Sequence, residues 1–230
     1  MAAVGPRSLP PRDQRQFDRA LALLDEALRL CPPEAKGRVL VKKAFTLEQA
    51  GEADRAIEAL RQAALRVEAS REPRLRLCLL FNLAVNLCHL HQPEEADELF
   101  PEIQALAEQV DKALDRLRTA WLRAKIDAGR GRREEARVGL GAVRQAFLDR
   151  RMSYEVALVS LELAVLLLED GRTAEVRELA GPMLEIFTAQ RIGREALATV
   201  EVFARAARQE AVTVEWTRDL LGKLRRAGSS

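Results

Sequence analysis

Aromatic side chains are scarce in this sequence: one Tyr, two Trp and seven Phe make up 4% of 230 residues. A core built on large rings is therefore excluded. The apolar share, 48% of the chain, has to be mainly aliphatic. With Ala, Leu, Glu and Arg dominating, this is the composition of long helices packed through small and branched side chains. It also supplies enough apolar material to exclude wholesale disorder. Histidine occurs only as His89 and His91, so any histidine acid or base must be one of these two. Cysteine occurs three times, as Cys31, Cys78 and Cys88, an odd set at irregular spacing. That excludes a disulfide framework and predicts reduced, buried thiols in a cytoplasmic protein. An excess of one charge sign is missing as well. The 37 basic and 35 acidic residues leave +2, which gives no support to direct nucleic-acid binding. The N-terminal MAAVGPRSLPPR lacks the apolar run of a signal peptide. VALVSLELAVLLL, interrupted by Glu162, is too short to span a membrane.

Catalytic signatures are missing too. There is no GxxxxGK[ST] phosphate loop, no GxSxG elbow and no HExxH. Cys88-His89-x-His91 is a poor metal cluster, because adjacent helical residues point about 100° apart and cannot share one ion. The expectation is a non-enzyme with no catalytic residue, no cofactor and no metal.

What the chain does have is a period. Small residues recur every 40 positions, at Ala56, Ala96, Ala136 and Val176. A second set, Ala44, Ala84, Ala124 and Ala164, keeps the same step, as do Leu60, Phe100, Leu140 and Ala180. Turn positions Gly51, His91, Gly131 and Gly171 run in register with them. A fixed period of this size marks stacked two-helix units. Small residues let antiparallel helices approach to roughly 8–10 Å, glycine ends a helix cheaply in the left-handed region, and a single hairpin cannot hide its apolar face without neighbours.

Leu40, Ala44, Leu47, Gly51, Ala56, Leu60 and Ala63 resemble the tetratricopeptide (TPR) repeat, W-x2-L-G-x2-Y followed by A-x3-F-x2-A. Ala20, Leu24, Ala27 and Pro32 match the second half of one repeat. The period exceeds the usual ~34 residues, and the first-helix aromatic is replaced by Leu40, Leu80 or Ala120. The resemblance implies an all-α, right-handed α-solenoid of about 11 helices in stacked antiparallel hairpins. A disordered arm over 1–11 is expected first, then a single solenoid over 12–227. The solenoid divides into a half repeat, 12–33, and five hairpins at 34–69, 73–109, 112–150, 153–190 and 194–227, followed by a tail, 228–230. Pro101 and Pro182 fall inside second helices, where an interior proline is expected to bend them. The outer stripe of the first helix, with Leu21, Leu24 and Leu28, lacks one cover. A missing part of a larger protein, a partner or second copy of the chain, or the arm itself would each supply it.

In TPR arrays the first helix of each pair lines the concave face. The resemblance therefore implies a groove carrying Arg38, Val41, Lys42 and Phe45, then Cys78, Phe81, Asn82, Val85 and His89, with Asn86 a turn beyond Asn82. It continues with Arg118, Trp121 and Lys125, and with Leu158, Leu161, Glu162 and Val165. Such a mixture suits an extended peptide: amides bond its backbone, cations its acidic groups, and rings hold an apolar anchor. Trp121 and Arg118 are the first hot-spot candidates. The two-carboxylate clamp of chaperone-binding TPRs is matched only at Asn82 and Arg118. Three plainer readings stand beside this one. Phe81, Val85, Leu161 and Val165 can be core between hairpins, the asparagines can bond a neighbouring turn, and the basic run from Arg116 to Arg133 can be a solvated face.

The function implied is a scaffold or adaptor that binds a protein or peptide. NLAVNL and LELAVLLLEDGRTAEV are also similar to TPR segments of bacterial signalling and helix-turn-helix regulators. The alternative is therefore a sensory or oligomerisation module of such a regulator, without its DNA-binding domain. A homo-oligomer through the uncovered first helix is a further expectation.

Overall fold

The structure, a computed structural model, describes residues 11–189, 201, 203, 204, 206, 207 and 212–227. The expected arm lies outside them except for Pro11, which opens the first helix, and so do the 228–230 tail and much of the last hairpin's first helix. Among the described residues every regular element is helical. The helices are α1 (Pro11–Leu30), α2 (Pro33–Gln49), α3 (Ala53–Ala64), α4 (Pro73–His89), α5 (Pro93–Val110), α6 (Ala113–Gly129), α7 (Arg133–Asp149), α8 (Ser153–Glu169), α9 (Thr173–Ala189) and α10 (Val214–Ala227). Two compact units divide the chain, Met1–Thr119 and Ala120–Ser230.

The small residues are where close packing needs them. Ala44, Ala56, Ala84, Ala96, Ala124, Ala136, Ala164 and Val176 are all buried. The closeness of one crossing can be measured: a Cβ built on Gly139 of α7 would stand 3.0 Å from the Ala124 Cβ of α6. The turns follow the same rhythm. Gly51, Gly131 and Gly171 have φ of 80°, 75° and 71°, and His91 takes the same left-handed conformation at 58° without being glycine. Asp111 and Arg151, at φ 50° and 56°, do so in the turns that lead from one hairpin to the next. Proline opens α2, α4 and α5, where a missing N–H costs nothing because no intrahelical acceptor exists there. α5 and α9 run on through Pro101 and Pro182, both exposed.

In the first unit Arg76 is a fastener between three elements. Its guanidinium donates to the Ala64 carbonyl (2.7 Å) at the end of α3 and to Glu102 Oε1 (2.8 Å) on α5. The second unit holds a continuous apolar cluster from α8, α9, residues 203, 204 and 207, and α10.

Two expectations are corrected. Leu21 does not lie on an uncovered outer stripe. It is buried, with Leu24 and Leu28 half-buried, and it is Leu23 and Leu30 that face solvent, 60% and 77% exposed. The stripe of α1 faces α2, and Leu28 also lines a small pocket with residues of α2 and α3. The three cysteines form no disulfide with one another and are not buried: Cys78 is exposed, and Cys31 and Cys88 are half-buried.

Candidate binding faces

The first face is built on α2 and α4. Arg38, Lys42 and Phe45 follow one another along α2 at helical spacing, so they share a side. All three are exposed, Phe45 by 53%. Arg38 Nε donates to Glu72 Oε1 (2.8 Å). Glu72 is the N-cap of α4, so this pair ties the start of α4 to α2. Lys42 has no ion-pair partner among the described residues. On α4, Cys78 and Asn82 stand one turn apart, with Asn82 Nδ2 3.6 Å from Cys78 Sγ. Phe81, Val85 and His89 are half-buried beside them. Asn86 is placed differently. It is 1% exposed, its Nδ2 donates to the Asn82 carbonyl (2.8 Å), and its Oδ1 is buried with no hydrogen-bond partner.

Arg118, near the start of α6, is exposed and close enough to Cys78 to act on it electrostatically. Partial burial of the thiol pushes Cys78 up from its ordinary value, and the Asn82 hydrogen bond, Arg118 and Arg74 pull the other way without overcoming it. A thiol raised in this way is a poor nucleophile.

The second face is different in kind. Trp121 and Lys125, a turn apart on α6, converge on Glu162 of α8. The Trp121 indole N–H donates to Glu162 Oε2 (2.6 Å), and Lys125 Nζ lies 2.9 Å from Oε1. Arg225 of α10 supplies a third donor, 2.6 Å from Oε1. The Lys125 ammonium also sits 4.6 Å from the Trp121 ring centroid, and that ring meets Phe147 edge-on at 5.6 Å. Burial alone would push the Glu162 carboxyl up. The charges of Lys125 and Arg225 and the hydrogen bonds from Lys125 and Trp121 outweigh it, so the net displacement is downward. The Glu162 side chain is only 10% exposed and Lys125 only 14%.

α10 accounts for that burial. Leu158 and Leu161 of α8 are buried in one cluster with Leu220, Leu221 and Leu224 of α10. Tyr154 of α8 donates its hydroxyl to the Leu224 carbonyl (2.7 Å), one of the acceptors that the end of a helix leaves open. Arg218 of α10 pairs with Glu169 of α8, and Trp216 stacks on Phe203 at 6.4 Å.

The structure thus brings Arg38, Lys42, Phe45, Phe81, Asn82, His89 and Arg118 into the first unit, with Asn86 inside it. It brings Trp121 and Lys125 together in the second, against residues of the same chain. Sequence reasoning did not single out Arg76, Tyr154 or Arg225. Their partners lie as far as 71 residues away, and no local pattern signals that distance. Among the described residues, no group of three His, Cys, Asp or Glu side chains could hold a metal ion. None of the described helices is long and apolar enough to cross a membrane.

No family model and no curated protein matches the chain. Solved structures do. A Rap protein complexed with Competence and Sporulation Factor aligns with TM-score 0.72 and 15% identity, over 95% of this chain and 62% of its own. The chain therefore spans rather less than two thirds of that protein. The nearly identical TPR-like repeats of a Podosopora anserina protein, described as a kinesin light chain, align with TM-score 0.58 and 22% identity, over 86% of this chain and 97% of theirs. A single-site variant of the same repeats gives 0.59 and 21%. The fold is of the TPR type.

Proposed function

We propose that this chain is a non-enzymatic scaffold that binds a peptide or protein segment on the α2–α4 face of its first unit. The observation that carries this reading is Phe45. Phe45 is 53% exposed on α2, a turn from Lys42, so little of its ring is used in packing the first unit. An exposed ring of this kind, flanked by a cation and an amide, is what an anchor site needs. A structural neighbour seen in complex with a factor supports the reading. Phe45, Lys42 and Asn82 are the residues that engage the partner, and Arg38 and Arg118 bound the face with positive charge. The test is affinity capture with mass spectrometry on wild type and on the double variant Phe45→Ala, Asn82→Ala. Specific partners should disappear while the far-ultraviolet circular dichroism stays unchanged. Undiminished capture would refute the assignment.

A second reading, a module of a larger bacterial regulator, is favoured by the chain's match to only 62% of the Rap structure. An upstream, in-frame helix-turn-helix coding segment would support it.

A further inference from the structure

An arginine that loses water on folding normally meets a carboxylate, because an uncompensated buried charge is costly. Arg76, Arg123, Arg132, Arg137, Arg172 and Arg225 are half-buried, and each bonds one. Arg144 of α7 is half-buried as well, but its acceptor is neutral: Nε donates to the hydroxyl of Ser160 on α8 (2.9 Å), a residue that is fully buried. Burial pushes the Arg144 guanidinium down from its ordinary value, and no charge among the described residues opposes the shift. Its two Nη groups donate to nothing among the described residues, and neither is sealed from solvent. The approach to them is open too. A helical side chain leans over the turn that precedes it. The residue there is Gly141, where a built Cβ would meet nothing within 4 Å.

We infer that Arg144 anchors an anion site on the α7–α8 seam of the second unit, and that the site takes a carboxylate end-on. With Nε held by Ser160, the side-on approach is used up, and the fork of the two Nη groups remains. That fork matches the two oxygens of a carboxylate. Ser160 is a positioning residue: its hydrogen bond fixes the guanidinium before the ligand arrives, which lowers the entropy lost on binding. The carboxylate belongs to a small organic acid or to an acidic side chain of a bound protein segment, and the test separates the two. The site shares no residue with the face proposed on α2 and α4, so either can fail alone.

Proton–nitrogen correlation spectra of arginine Nε–H groups report on the site directly. The intact, isotope-labelled chain is titrated with sodium acetate against sodium chloride at constant ionic strength, the Arg144 signal being the one missing from Arg144→Gln. Acetate should displace that signal saturably and chloride should not. Acetate should also raise the melting midpoint of wild type above its value in chloride, and leave that of Arg144→Gln where chloride leaves it. Ser160→Ala should weaken acetate binding by up to about tenfold, the scale of one hydrogen bond, with the circular dichroism unchanged. Glutamate with its amine acetylated and its main-chain carboxyl amidated then carries the same group on a peptide unit. Binding at least as tight as acetate assigns the site to a protein side chain, and weaker binding assigns it to a small acid. An Arg144 signal that acetate leaves in place, a displacement that chloride matches, or a stabilisation by acetate that survives in Arg144→Gln would each overturn the inference.

Discussion

Glu162→Ala tests the energetics of the second unit directly. The carboxylate accepts from Trp121, Lys125 and Arg225 together. Its removal takes from the Lys125 ammonium, 14% exposed, the carboxylate that stands 2.9 Å away, and from the indole N–H its acceptor. Three charge-assisted hydrogen bonds at about 1.5–3 kcal/mol each set an upper scale. Desolvation already spent on the ions returns part of it, and the net cost of breaking a buried pair is about 3–5 kcal/mol. For a protein of this size each kcal/mol moves the melting midpoint by about 2–4 °C, so a fall of roughly 6–20 °C is expected. Urea unfolding followed at 222 nm would give the free energy, and scanning calorimetry the midpoint. The pH dependence adds a signature. Because the folded carboxyl lies below its ordinary value of 4.5, its contribution is complete above that pH and is lost as the pH falls through the lower folded value. The gap between wild type and Glu162→Gln should therefore close only below about pH 4.5. The variant Glu162→Leu, Lys125→Met removes both charges together and should recover part of the loss. A Glu162→Ala cost under about 1 kcal/mol, the value of an exposed pair, would refute the reasoning.

Four further outcomes follow from the turns and the packing. His91→Gly should stabilise the first unit by about 1 kcal/mol in urea melts, because a left-handed φ of 58° strains a side-chain-bearing residue. Gly171→Ala should cost about 1–2 kcal/mol for the converse reason. Ala96→Glu should abolish cooperative unfolding of the first unit, since Ala96 is 0% exposed and a charge there has no partner; an unaltered melting curve would contradict its placement. Leu224→Ala, at a side chain 0% exposed, should cost about 2–5 kcal/mol and raise amide exchange across α10.

Much of the fold could be read before any coordinates. A small residue every 40 positions means a helix crossing every 40 positions, because nothing larger fits there, and the buried alanines sit where that logic puts them. The glycine turns were legible for the same local reason, and His91 was placed in their register although its residue type gives no such signal. Asp111 and Arg151 were not, since aspartate and arginine occur everywhere and only the backbone reveals their left-handed φ. The binding faces were legible only as a list of helix positions. Helical spacing put Lys42 and Phe45 on one side of α2, but it could not separate a ring left in water from one such as Trp121, engaged by Glu162.

Local chemistry therefore carried everything that depends on neighbours within a turn or two: helix boundaries, apolar stripes, turn residues and the interval between hairpins. It could not say which helix covers which stripe, because an apolar face is satisfied by any complementary one. That choice belongs to the packed chain. Arg225 and Glu162, 63 residues apart, meet only when α10 lies on α8, and that contact is what sets the buried face of the second unit apart from the open face of the first.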